Sequence, residues 1–138
     1  MAKDIYHKLV KEALEADGWI ITDDPYSLEE WDPEWEIDLG AEKLIGATKG
    51  NVKIAVEIKS FLRPSFAYEF HQVLGQYINY HNALSELEPD RTLYLAVPFD
   101  IWLSEFQRRG IQFAVQKQQL NIILFNTDTK ELIQWINN

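Results

Sequence analysis

The spacing of apolar side chains changes period several times along this chain, and each change predicts an element. Ile5, Leu9, Val10, Ala13 and Ala16 recur at helical spacing, with Asp4 as a cap and Gly18 as a stop. Residues 19–22 predict a short strand. Residues 23–35 contain two prolines and many acids, and predict a loop. Residues 36–39 predict a strand with Ile37 and Leu39 on one face, and residues 43–49 another, closed by a hairpin turn at Gly50-Asn51. The clearest alternation runs over 51–59. Val52, Ile54, Val56 and Ile58 point one way, and Lys53, Ala55, Glu57 and Lys59 the other. A long helix is predicted from about 66 to 87, ending before Pro89. Residues 91–97 are almost continuously apolar and predict a central strand buried on both faces, stopped by Pro98. Residues 101–119 predict helix with a break at Gly110. Residues 121–125 form a further buried strand and 131–136 a last one, after a turn at Asp128-Thr129. No internal repeat or linker interrupts this order. It predicts an α/β (α+β) layer structure of one domain, 1–138, with a mixed sheet and helices on its faces.

Composition narrows the functional classes. At 138 residues and 46% hydrophobic, the chain suits an ordered globular domain and not a disordered one. It has no cysteine, so disulfides, thiolate metal sites and a thiol nucleophile are excluded. No apolar run approaches the roughly 20 residues that span a bilayer. The charges inside its first apolar stretch do not suit a secretory signal, so a cytoplasmic location is expected.

The net charge of −9 argues against a protein that coats nucleic acid. Its distribution changes that picture. Residues 12–42 carry 12 acidic groups and no Lys or Arg, whereas residues 43–63 carry five basic groups and one acid, Glu57.

Two groups of residues can carry chemistry. Glu57 and Lys59 are two apart on one strand and project to one side. If the strand holding Asp38 lies beside it, two carboxylates meet, and with backbone carbonyls and water they supply the hard oxygen ligands that Mg²⁺ or Mn²⁺ takes. A lysine next to them can orient the attacking water and offset charge on a phosphoryl group. Taken alone, Glu-x-Lys also fits the wet face of an ordinary strand. Gln76 and Tyr80 lie one helical turn apart and can hydrogen-bond a phosphate or steady the lysine. Tyr80 equally fits the half-buried stripe of an amphipathic helix with Phe70, Val73, Leu74 and Tyr77. His7, His71 and His81 are scattered, without metal-ligand spacing. Glu12 can add a carboxylate from the first helix, or simply face solvent. The segment YSLEEWDPEW, 26–35, exposes Trp31 and Trp35 to partners, or folds onto the domain.

The runs IDLGAEKLIGATKGNVKIAVEIKSF, EFHQVLGQYINY, RTLYLAVP and ELIQWI resemble the XisH family over nearly the whole chain. These are the cyanobacterial fdxN element excision controlling factors, linked to programmed excision of a DNA element beside heterocyst development. The resemblance implies a restriction-endonuclease-like fold of the PD-(D/E)xK type, with a mixed sheet flanked by helices on both faces. It implies Asp38 and Glu57 as metal ligands and Lys59 as the catalytic lysine. Gln76 and Tyr80 match a Q-x-x-x-Y motif of some nuclease branches. Ile37 departs from the pattern, which usually has proline there. The cofactor implied is Mg²⁺ or Mn²⁺. The partners implied are DNA, an XisI-family protein and a site-specific recombinase; a homo-oligomer is left open. The activity expected is DNA phosphodiester hydrolysis. The alternative is a non-catalytic accessory factor that works through a partner protein, as the acidic segment suggests, or a purely structural subunit of a hetero-complex.

Overall fold

The computed structural model describes residues 3–44 and 51–138. Its centre is a six-stranded mixed sheet. In chain order the strands are β1 (Ile20–Asp23), β4 (Leu39–Leu44), β5 (Asn51–Ile58), β6 (Arg91–Pro98), β7 (Ile122–Phe125) and β8 (Leu132–Ile136), and they lie side by side in that same order. The β5–β6 and β6–β7 pairs are parallel and the others antiparallel. A separate two-stranded ribbon joins β2 (Tyr26–Ser27) to β3 (Glu36–Ile37).

Helices cover both faces. On one, α1 (His7–Ala16) places Val10 and Leu14 against Leu39, Ile54, Val56 and Ile58. On the other, α2 (Phe66–Leu87) places Phe70, Val73, Tyr77 and Tyr80 against Ala55, Leu93 and Leu95. The alternation of β5 is therefore as expected, with Ala55 on the α2 side and its apolar neighbours on the α1 side. β6 is buried on both faces because α2 and the helical segment 99–117, its two parallel connections, cover one side and α1 covers the other. Ser65 starts α2, its side chain accepting a hydrogen bond from the Tyr68 N–H at 3.2 Å, worth about 1 kcal/mol.

Several expectations need correction. The buried stripe of α1 is His7, Val10, Ala13 and Leu14, so Val10 and Ala13 are as expected, while Ile5 stands exposed ahead of the helix and Ala16 is exposed at its end. Asp4 still organises the helix start, accepting from the Tyr6 N–H, but its other oxygen accepts from the Ser60 N–H and ties α1 to the end of β5. The expected loop 23–35 contains β2, because a ladder to Glu36–Ile37 satisfies its backbone. The expected strand 36–39 breaks at Asp38: Ile37 packs in the α2-side core and Leu39 in the α1-side core. The strand predicted over 43–49 is represented by the end of β4, and the rest of it, with Gly50, lies outside the described residues. The helix expected over 101–119 is split into α3 (Phe99–Ser104), a single 3-10 turn and α4 (Arg109–Lys117). The break falls at Arg108 and not at Gly110, since Phe106 turns into the core there.

Candidate active site

Register brings the two carboxylates together. Leu39 of β4 lies opposite Val56 of β5 in an antiparallel pair, so the next residue outward, Asp38, comes opposite Glu57. The Asp38 N–H donates to Glu57 Oε1 at 3.2 Å, and the Ile58 N–H donates to Asp38 Oδ2 at 2.7 Å. Each acid thus uses one oxygen to fasten a bend at the carboxyl end of β5. Both line a cleft of about 230 Å³ together with His7, Asp24, Gln76 and Tyr80.

The electrostatics of the pair follow from this placement. Burial pushes Asp38 above the usual carboxylate range, partly offset by the Ile58 N–H. Burial, and then the Asp38 charge, push Glu57 well above it. Two like charges side by side and partly withdrawn from water are a costly arrangement that a divalent cation relieves. Burial and then the neighbouring carboxylates raise the Tyr80 phenol to about 12, so its hydroxyl keeps its proton as a donor facing the cleft. The Tyr80 ring packs in the core, edge-on to Trp35 at 6.1 Å, while Gln76 on the same stripe is exposed.

Lys59 is placed differently. It follows β5, and its Nζ lies 3.3 Å from Oε2 of Glu69, a buried carboxylate on α2 whose other oxygen accepts from the Arg63 N–H at 2.8 Å. The amine is not among the groups lining the cleft. The turn that carries it passes through Phe61 at φ 55, a left-handed conformation held by ring contacts to Phe66 and Phe106.

Three members of this neighbourhood escaped the sequence reading. His7 is buried, its Nε2 2.7 Å from Asp24 Oδ1, and its Nδ1 has no hydrogen-bond partner among the described residues. Asp24 also takes Lys11 Nζ at 2.7 Å. Burial works against its ionisation, but Lys11 and His7 outweigh that and hold it below the usual carboxylate range. Glu69 restrains Lys59. The signal for His7 was its spacing with Val10 and Leu14, which sets it on the buried helix stripe; nothing in the sequence joins it to Asp24. Glu12 stays outside the site, exposed and 3.7 Å from Lys8.

The donor set fits a hard cation. Among the described residues no three His, Cys, Asp or Glu side chains gather as a metal cluster. The pair alone would hold the ion, with backbone carbonyls and water completing the shell, as Mg²⁺ commonly accepts.

A family model described as XisH protein matches residues 1–133. The chain belongs to the XisH family. Two solved structures resemble this XisH chain closely. One is an XisH family protein from Nostoc punctiforme PCC 73102, 39% identical over 97% of this chain and 100% of that one, with a TM-score of 0.82. The other is a fdxN element excision controlling factor protein from Anabaena variabilis, 40% identical over 98% and 100%, also with a TM-score of 0.82. No curated protein matches the chain. Among the described residues of this XisH protein, no helix is long and apolar enough to cross a membrane.

Proposed function

We propose that this XisH protein hydrolyses DNA phosphodiesters with Mg²⁺ or Mn²⁺ during excision of a DNA element, the process named for its Anabaena relative. The observation that carries this reading is the pairing of Asp38 with Glu57 by strand register, in a cleft that Gln76 and Tyr80 also line. An acid and then Glu-x-Lys at one end of adjacent antiparallel strands also suits the restriction-endonuclease-like fold that the resemblance implies.

Asp38 and Glu57 would hold the ion, whose chemistry is polarisation of a phosphoryl oxygen and generation of hydroxide from bound water. Tyr80, protonated at working pH, would donate to a phosphate oxygen, and the Gln76 amide would orient it. Lys59 would neutralise charge developing on the phosphoryl group, with Glu69 setting its resting position. An XisI-family protein and a site-specific recombinase are the partners this role calls for. The test is nicking of supercoiled plasmid with Mg²⁺ or Mn²⁺. Wild type is expected to nick, and Asp38→Ala and Lys59→Ala to lose activity while still unfolding in one cooperative transition in chelator. Equal activity in all three proteins refutes the assignment.

A second reading is favoured by one observation: the Lys59 amine is engaged by Glu69 and does not face the cleft. In that reading the protein is a non-catalytic control factor of the recombinase, acting through a partner. Metal-dependent melting separates the two. An ion at about a hundred times its dissociation constant stabilises the folded state by about 2.7 kcal/mol. A control factor without a working site gives no rise in melting temperature with Mn²⁺.

A further inference from the structure

The segment between β2 and β3 is a built arm. Leu28 is fully buried in the α2-side core, and its N–H donates to the Trp35 carbonyl at 2.9 Å, closing the base of the arm. Turns at Trp31 and Trp35, each donating back to a carbonyl of the arm, hold its tip. Trp35 packs toward the core, but Trp31 stays 51% exposed in this ordered setting, a costly place for an indole.

Between the arm and the outward stripe of α2 runs a groove. It consists of two adjoining cavities, about 380 and 430 Å³, which share Trp35 and Asn79. The first reaches Trp31 and Glu86, and the second reaches Gln76 and Tyr80 at the rim of the catalytic cleft. From Gln76 to Glu86 the helix advances about 15 Å, room for about five residues of an extended peptide.

Charge selects the occupant. The arm and the rims carry Glu29, Glu30, Asp32, Glu34, Glu36 and Glu86, none of them ion-paired among the described residues. Neither residues 12–42 nor 64–90 contain a Lys or Arg, so both walls come from segments without a cation of their own. Arg91, which follows the second of these segments in the chain, is buried against Glu88 and Tyr26. A nucleic-acid backbone is repelled by such a groove, whereas Lys and Arg are attracted to it and can stack on the indoles.

We propose that this groove docks an extended, arginine- or lysine-bearing segment of a partner protein, with Trp31 as the anchor. The inference goes beyond the nuclease reading and does not depend on it, since its test uses no cleavage.

The test follows the indole N–H signals of the full-length protein by NMR, with Trp31 assigned from its loss in Trp31→Ala. The probes are a synthetic peptide alternating arginine and serine around one leucine, its counterpart with glutamate for arginine, and oligothymidylate of matching length. The cationic peptide is expected to shift Trp31 and Trp35 signals, and the acidic one to leave them in place. Affinity is expected to fall about tenfold or more in Trp31→Ala, and likewise in the quadruple variant E29Q/E30Q/E34Q/E86Q, which alters only exposed side chains. No shift of either signal at about millimolar cationic peptide overturns the proposal. So does unchanged affinity in both variants. If oligothymidylate shifts the same signals and binds more tightly to the quadruple variant, the groove belongs to unpaired nucleic acid. If the signals move with protein concentration alone, it belongs to a second copy of this chain.

Discussion

Glu57 is held where its charge costs the fold free energy: partly buried, with the Asp38 carboxylate opposite and one backbone N–H and the Lys59 charge to compensate. Glutamine keeps the shape and the acceptor and removes the repulsion. Glu57→Gln is therefore expected to melt higher than wild type in chelator at neutral pH, yet to lose the rise on adding Mn²⁺; a lower melting point in chelator would contradict this account of the pair. Glu88 is the opposite case. The Arg91 guanidinium first, and Tyr26 and Lys53 with it, hold its carboxyl at about 2 against an ordinary 4.5. A depressed folded-state value stabilises above the unfolded one, so this contribution is complete above pH 4.5 and disappears as pH falls toward about 2. It amounts to roughly 2–3 kcal/mol. Glu88→Gln is expected to lose about that at neutral pH and to show a shallower acid limb in melting temperature against pH.

At the scale of elements, the site depends on how closely the β2–β3 arm lies on β4. A methyl group at Gly40 would come within 2.9 Å of Asp23 Oδ2 and of a Tyr26 ring carbon. Gly40→Ala forces the arm outward next to Asp38. The expected outcome is a loss of roughly 1–3 kcal/mol, with metal binding weakened more than stability requires, measured by melting with and without Mn²⁺. α2 is fixed more firmly, because the buried Tyr77 hydroxyl donates to the Leu93 carbonyl and accepts from the Asn121 N–H, bridging helix, β6 and the start of β7. That bridge keeps Gln76 and Tyr80 at the cleft independently of the arm.

On the scale of the whole molecule, the sheet separates two cores. Leu14 is buried on the α1 side and Phe70 on the α2 side. Leu14→Ala and Phe70→Ala are each expected to cost about 2–5 kcal/mol. With the sheet between them, their effects should add to within about 0.5 kcal/mol in denaturant titrations; a large coupling would mean that the layers act as one. Charge is also divided at this scale. Among the acids of residues 12–42, Asp24 is paired with Lys11 and His7, whereas those on the rim of the Trp groove have no ion pair among the described residues.

Much of the fold was legible because its signals are local. Period-two alternation over 51–58 and the 22-residue helix ended before Pro89 need only neighbouring residues to be read, and both stand in the structure. Composition alone removed thiol chemistry and located the acidic third. The family could be recognised from linear phrases. What the chain order could not say was decided by tertiary contact. Asp38 breaks its strand because Glu57 and the Ile58 N–H hold it in a bend. His7 meets Asp24 across 17 positions, and Lys59 turns to Glu69 rather than to the cleft. Periodicity assigns a side chain to a face; only packing of distant segments sets which charged tips meet, because that depends on register, burial and competing partners.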